Sequence, residues 1–120
     1  MAEKRLLIVD DVVAMGEFVR TVGKSLGYEV RLSTCGEEFK RVVDEFDPTT
    51  VMLDIMMPDI DGLQLVKWLR ERGCAAKIIV ASMENPNYAK LARALGKGRG
   101  LDISVLPKPY NVNQLYEALA

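Results

Sequence analysis

Histidine is absent from this 120-residue chain. No Ser-His or Cys-His catalytic pair and no His-rich metal site can be built from it. Its chemistry at neutral pH therefore falls to carboxylates, hydroxyls and lysines. Cysteine is scarce, and Cys35 and Cys74 have neither metal-ligand nor redox-motif spacing. Both are expected to be free thiols, as in a reducing compartment. An excess of one charge is also missing. Sixteen Lys and Arg against seventeen Asp and Glu leave a formal net charge of −1, which gives no long-range field suited to nucleic acid or an anionic membrane. No apolar run approaches the ~20 residues of a membrane-spanning helix, and the opening Met-Ala-Glu-Lys-Arg lacks a signal-peptide core. The expectation is a cytoplasmic protein without membrane or direct nucleic-acid partners.

What is present reads as one domain over residues 1–120, with enough apolar content, 49%, for a single core without staples. Apolar segments of strand length recur at Arg5–Val9, Tyr28–Ser33, Thr50–Asp54, Lys77–Ser82 and Ile103–Leu106. Between and after them run five stripes of helical period. The first is Met15, Phe18, Val19, Val22 and Leu26; the second Phe39, Val42, Val43 and Phe46; the third Leu65, Val66 and Leu69. The fourth is Tyr88, Leu91, Ala92 and Leu95, and the fifth Val112, Leu115, Tyr116 and Leu119. Gly27 and Gly73 stand where left-handed residues close helices. Asn111 with Gln114 reads as an N-cap and its reciprocal partner.

Five strands alternating with five helices predict βαβ units and a parallel sheet covered on both faces. Right-handed crossovers at this length favour a flavodoxin-like, doubly wound five-stranded sheet in the order 2-1-3-4-5. The last stripe runs to the end at Ala120, which fits a stand-alone protein and a piece of a longer one equally.

The most informative run is Val51-Met52-Leu53-Asp54-Ile55-Met56-Met57-Pro58-Asp59-Ile60-Asp61-Gly62. An apolar strand delivers one carboxylate and then breaks at a proline. Such a carboxylate is costly to desolvate unless the strand ends in a solvated cleft. Asp10-Asp11 follow the apolar Leu6–Val9, Ser82 closes the fourth predicted strand, and Lys108 follows the fifth. In an open α/β sheet the functional crevice lies beyond the carboxyl ends of the strands, so these residues are predicted to share one pocket. Three carboxylates there repel one another, at roughly 4 kcal/mol per pair for about 4 Å and a surface-like dielectric. A proton or a cation must offset this, and an all-oxygen anionic site suits Mg²⁺. A carboxylate beside such a cation can take a phosphoryl group.

These motifs, in this order over the whole chain, closely resemble the receiver domains of two-component response regulators, including chemotaxis regulators. The resemblance implies that Asp54 accepts a phosphoryl group from a histidine kinase or phosphotransfer protein. It implies Mg²⁺ held by Asp11, Asp54 and the main-chain carbonyl of Met56, with Asp10 acting mainly through a metal-bound water. Lys108 resembles the lysine that pairs with the phosphoryl group, and Ser82 the switch hydroxyl. The implied output is a changed affinity for a partner or effector domain on the face of the fourth helix, fifth strand and fifth helix. Phosphorylation could also join two copies as a homodimer. Slow self-dephosphorylation is implied, but the chain is not expected to be an enzyme in the usual sense.

One position departs from the pattern. Receiver domains usually carry an aromatic residue three positions before the lysine, and here that residue is Val105. This keeps open a docking module that never uses its phosphate site. An Asp-nucleophile phosphohydrolase is a second rival, but it needs an acid two residues after the nucleophile, where Met56 stands. Blander roles compete as well. Asp10-Asp11 could cap the first helix, Asp59 to Gly62 could be turn chemistry, and the glycines at 96, 98 and 100 a connector. Met52, Met56 and Met57 suit core or pocket wall, and Trp68 suits helix packing as well as a partner contact.

Overall fold

Alternation within each strand decides which helices cover which side. The computed structural model describes residues 4–54, 62–73, 75–82 and 102–120, with Gly62, Leu63 and Ser82 described in their backbone only. Its strands are β1 (Arg5–Val9), β2 (Glu29–Ser33), β3 (Thr50–Asp54), β4 (Lys77–Ser82) and β5 (Ile103–Pro107). They form one parallel sheet in the order β2-β1-β3-β4-β5. The helices among the described residues are α1 (Val13–Ser25), α2 (Gly36–Phe46), α3 (Gly62–Glu71) and α4 (Val112–Leu119). The expected fourth stripe, Tyr88 to Leu95, lies outside the described residues, so four of the five expected helices are seen. The strand boundaries agree with the reading above to within a residue, and each of the four helices contains most of its expected stripe.

Successive strand residues point to opposite faces. Leu7, Val9, Val51, Leu53, Ile78 and Val80 pack with Phe39, Val43 and Phe46 of α2 and Leu65, Val66 and Leu69 of α3. Leu6, Ile8, Met52, Ile79 and Ala81 face the other way, onto Val19 and Val22 of α1 and Leu115 and Leu119 of α4. β3 is buried on both faces throughout, as the middle strand of a covered parallel sheet must be. Met52 is thus core, as expected. Trp68 is partly buried between helices. Phe39 meets it edge-on at 6.2 Å, while Arg72 and Lys40 lie over its ring at 4.7 and 5.6 Å.

Gly27 and Gly73 do adopt left-handed backbone, with φ of 90° and 68°. The Asn111–Gln114 capping box is complete in both directions, at 2.9 and 2.8 Å. Capping of α1 by Asp10-Asp11 is not seen, because the N-cap is Val12, with no side-chain cap. Two further glycines were not singled out by sequence. A Cβ on Gly16 would fall 2.4 Å from Leu32 Cδ1, and one on Gly23 2.9 Å from Leu6 Cδ2. They let α1 lie close against β1 and β2.

Candidate functional site

β1 and β3 are neighbours, with Val9 opposite Leu53. The next residues along the two strands, Asp10 and Asp54, therefore emerge side by side at the carboxyl edge of the sheet. Asp10 continues the ladder for one bond, its N–H donating to the Ser33 carbonyl at 3.1 Å. Its Oδ1 accepts from the Val12 N–H at 2.9 Å, which turns the chain into α1 and holds the carboxylate over the sheet end. Asp10 and Asp54 are buried, while Asp11 is exposed. One carboxylate oxygen from each of the three lies within 4.8 Å of the others.

Lys108 comes from farther away. Pro107 at the end of β5 is in register with Ser82 at the end of β4, so β5 stands two strand spacings, about 10 Å, from β3. A long side chain is needed to cross that gap. The Lys108 Nζ does so and reaches Asp54 Oδ2 at 3.2 Å. Both partners are largely shielded from water, so this pair is less screened than a surface ion pair.

Burial is the main influence on Asp10 and pushes its carboxyl pKa up. The Val12 hydrogen bond and the Lys108 charge act against this, while the charges of Asp54 and Asp11 add to it. The donor set is a fit for a small hard cation. An octahedron with bonds of about 2.1 Å places its oxygens roughly 3 to 4 Å apart, a spacing that carboxylates already within 4.8 Å can adopt with small side-chain shifts.

Of the expected site residues, Asp10, Asp11, Asp54 and Lys108 are brought together. Ser82 is placed by its backbone at the end of β4, next to the strand that carries Asp54. Met56 lies outside the described residues. A cleft of about 500 Å³ at the other end of the sheet is lined by Arg5, Asp44, Asp47 and Arg72 among others. Its arginines already pair with Asp47 and Asp44.

Sequence reasoning missed Tyr110. Its hydroxyl is buried and, among the described residues, has no hydrogen-bond partner. Burial first, then the charges of Asp10 and Asp54, push its pKa up to about 12. The available signal was an aromatic residue two positions after Lys108 and directly after Pro109.

Solved structures of the same class share this architecture. The signal receiver domain of a response regulator from Bermanella marisrubri is 30% identical, with a TM-score of 0.84 covering 97% of this chain and 94% of that one. Chemotaxis protein CheY4 of Vibrio cholerae is 26% identical, with a TM-score of 0.83 covering 98% and 97%. The chain belongs to the response regulator receiver domain family, whose model matches residues 6–120. Response regulator MprA of Mycolicibacterium vanbaalenii is 34% identical over 111 residues, which are 92% of this chain and 46% of that protein. MprA of Mycobacterium leprae gives the same identity over 92% and 47%. The chain thus spans about half the length of the curated relatives it matches. Receiver domains are phosphoacceptor signalling domains of two-component systems, not enzymes of the ordinary kind.

Proposed function

We propose that Asp54 is the phosphoacceptor of a single receiver domain spanning residues 1–120. The observation that carries this is the convergence of Asp10, Asp11 and Lys108 on Asp54, with the ammonium 3.2 Å from its Oδ2. A carboxylate oxygen of Asp54 attacks the phosphorus of a phosphohistidine on a sensor kinase or phosphotransfer protein. As the O–P bond forms, the P–N bond breaks and the imidazole leaves with the electron pair. The donor's histidine has no counterpart in this chain.

Asp11, Asp54 and the main-chain carbonyl of Met56 would hold Mg²⁺, with Asp10 in support. When bound, the ion neutralises carboxylate charge and polarises the phosphoryl oxygens. Lys108 keeps Asp54 oriented and then pairs with the phosphoryl oxygens, and the Ser82 hydroxyl donates to another of them. The added dianion shifts a two-state equilibrium on the face of β5 and α4, together with the fourth helix expected from the Tyr88–Leu95 stripe, which lies outside the described residues. That shift changes affinity for an output partner, an attached effector domain or a second copy of the chain. Val105, in register with Val80, leaves this relay without the usual aromatic residue. Slow hydrolysis of the acyl phosphate resets the domain in the cytoplasm.

Acetyl phosphate with Mg²⁺ provides the test. Intact-mass measurement is expected to show a gain of one phosphoryl group that EDTA abolishes and that Asp54→Asn lacks. No gain, or a gain retained by Asp54→Asn, overturns the assignment.

A further inference from the structure

Among the described residues, Tyr110 is the one group beside this crevice whose chemistry the proposed function leaves unused. It follows Lys108 by two residues, and its ring stacks on Phe18 of α1, with centroids 6.4 Å apart and planes inclined by 22°. α1 begins directly after the Asp10–Val12 turn, so this stack ties the β5–α4 connection to the element that carries the acidic pair. The ring also packs against the apolar cluster under α1 and α4. These contacts hold the side chain through its carbon surface. They do not explain the hydroxyl, which is buried and, among the described residues, has no partner.

Leaving such a donor unsatisfied is unfavourable, and native structures rarely do so without a reason. A phenylalanine would serve the same packing and avoid it. Tyr110 lies on the connection that leaves the carboxyl end of β5, two residues after Lys108, whose Nζ reaches Asp54 Oδ2 at 3.2 Å, and a phenol ordinarily ionises only at about pH 10. At working pH it is a donor.

We infer that the Tyr110 hydroxyl binds the phosphoryl group, donating a hydrogen bond to one of its oxygens once Asp54 is phosphorylated. This inference rests on Asp54 being the acceptor. A phosphoryl group adds three terminal oxygens, each able to accept more than one hydrogen bond, where the unmodified carboxylate has two oxygens and one already faces Lys108. The new acceptor therefore arrives at the end of the sheet where the spare donor stands, and the hydroxyl favours the phosphorylated state over the resting one.

The test compares wild type, Tyr110→Phe and Asp54→Asn as full chains. Beryllofluoride with Mg²⁺ serves as the phosphoryl mimic, its affinity followed by fluorine NMR. Mg²⁺ alone is titrated separately, and thermal unfolding is measured without ligand. Tyr110→Phe is expected to weaken beryllofluoride binding about tenfold, the size of one hydrogen bond to a charged acceptor. Its affinity for Mg²⁺ alone should stay within about twofold of wild type, and its melting temperature without ligand should be unchanged or higher, because an unsatisfied buried hydroxyl has gone. Unchanged beryllofluoride affinity overturns the inference. So does an equal loss for Mg²⁺ alone, which would put the hydroxyl on the metal's water, or a lower melting temperature, which would make its role structural. If wild type binds the mimic no better than Asp54→Asn, the acceptor assignment itself fails. If wild type binds and Tyr110→Phe matches it, only the role of Tyr110 falls.

Discussion

Asp10 carries a conflict at the scale of single residues. It is buried beside two other carboxylates, and the hydrogen bond that its carboxylate accepts from the Val12 N–H does not fully offset the desolvation. Its folded-state pKa is raised above the ordinary 3.8. The folded state therefore takes up its proton at higher pH than the unfolded chain does. The resulting stability is complete below 3.8 and is lost as pH rises through the raised value.

At neutral pH the ionised group is a liability, which Asp10→Asn removes while keeping an oxygen to accept from Val12. In chelator at pH 7 the variant is expected to be more stable than wild type. Urea titrations at several pH values check the sign: the gain should shrink as pH falls and vanish below 3.8. In saturating Mg²⁺ the order should reverse, because wild type gains from the ion and the variant gains less. A variant no more stable in chelator would mean that burial does not strain Asp10.

Helices and strands were legible where one rule sufficed. The apolar run Leu6–Val9 and the period of Phe39, Val43 and Phe46 marked a strand and a helix, whose buried residues the two core clusters use. Asn111 and Gln114 gave a cap within four residues. Asn111→Ala removes the acceptor for the Gln114 N–H and should cost about 1 kcal/mol in chemical denaturation. Helix starts without such a signal were not legible. α1 begins at Val13 behind an uncapped Val12, and α2 ends on Asp47, a non-glycine residue at φ 50°. Those choices are settled by what the flanking loops must do, which lies outside the window of a local rule.

Gly16 and Gly23 were missed for a related reason. Their small size matters only once Leu32, Leu6 and Val30 stand across from them. Gly23→Val should destabilise the fold by roughly 1–3 kcal/mol, as overpacking does, read as a lower urea midpoint at unchanged slope. An unaltered midpoint would show that α1 can lift away without penalty.

Parallel order is what turns distant residues into a site at the scale of the whole molecule. Asp10, Asp54 and Lys108 are tens of residues apart, yet β1, β3 and β5 end on the same edge of the sheet. That convergence could be read from sequence because each residue closes an apolar segment, and the crevice of such a sheet lies beyond its carboxyl ends. Tyr110 could not be read the same way. Its importance depends on Phe18 supporting the ring and on two carboxylates nearby, neither of which its neighbours in sequence announce. The same sheet keeps the charged cleft around Arg5 and Arg72 at the opposite end, so phosphate chemistry and that cleft do not share residues.

An acyl phosphate can be reduced by borohydride, which converts the modified aspartate to homoserine and so marks its position permanently. After treatment with acetyl phosphate and Mg²⁺, reduction and peptide sequencing by mass spectrometry should find homoserine at position 54. Homoserine at another aspartate, or none at all, would contradict the account.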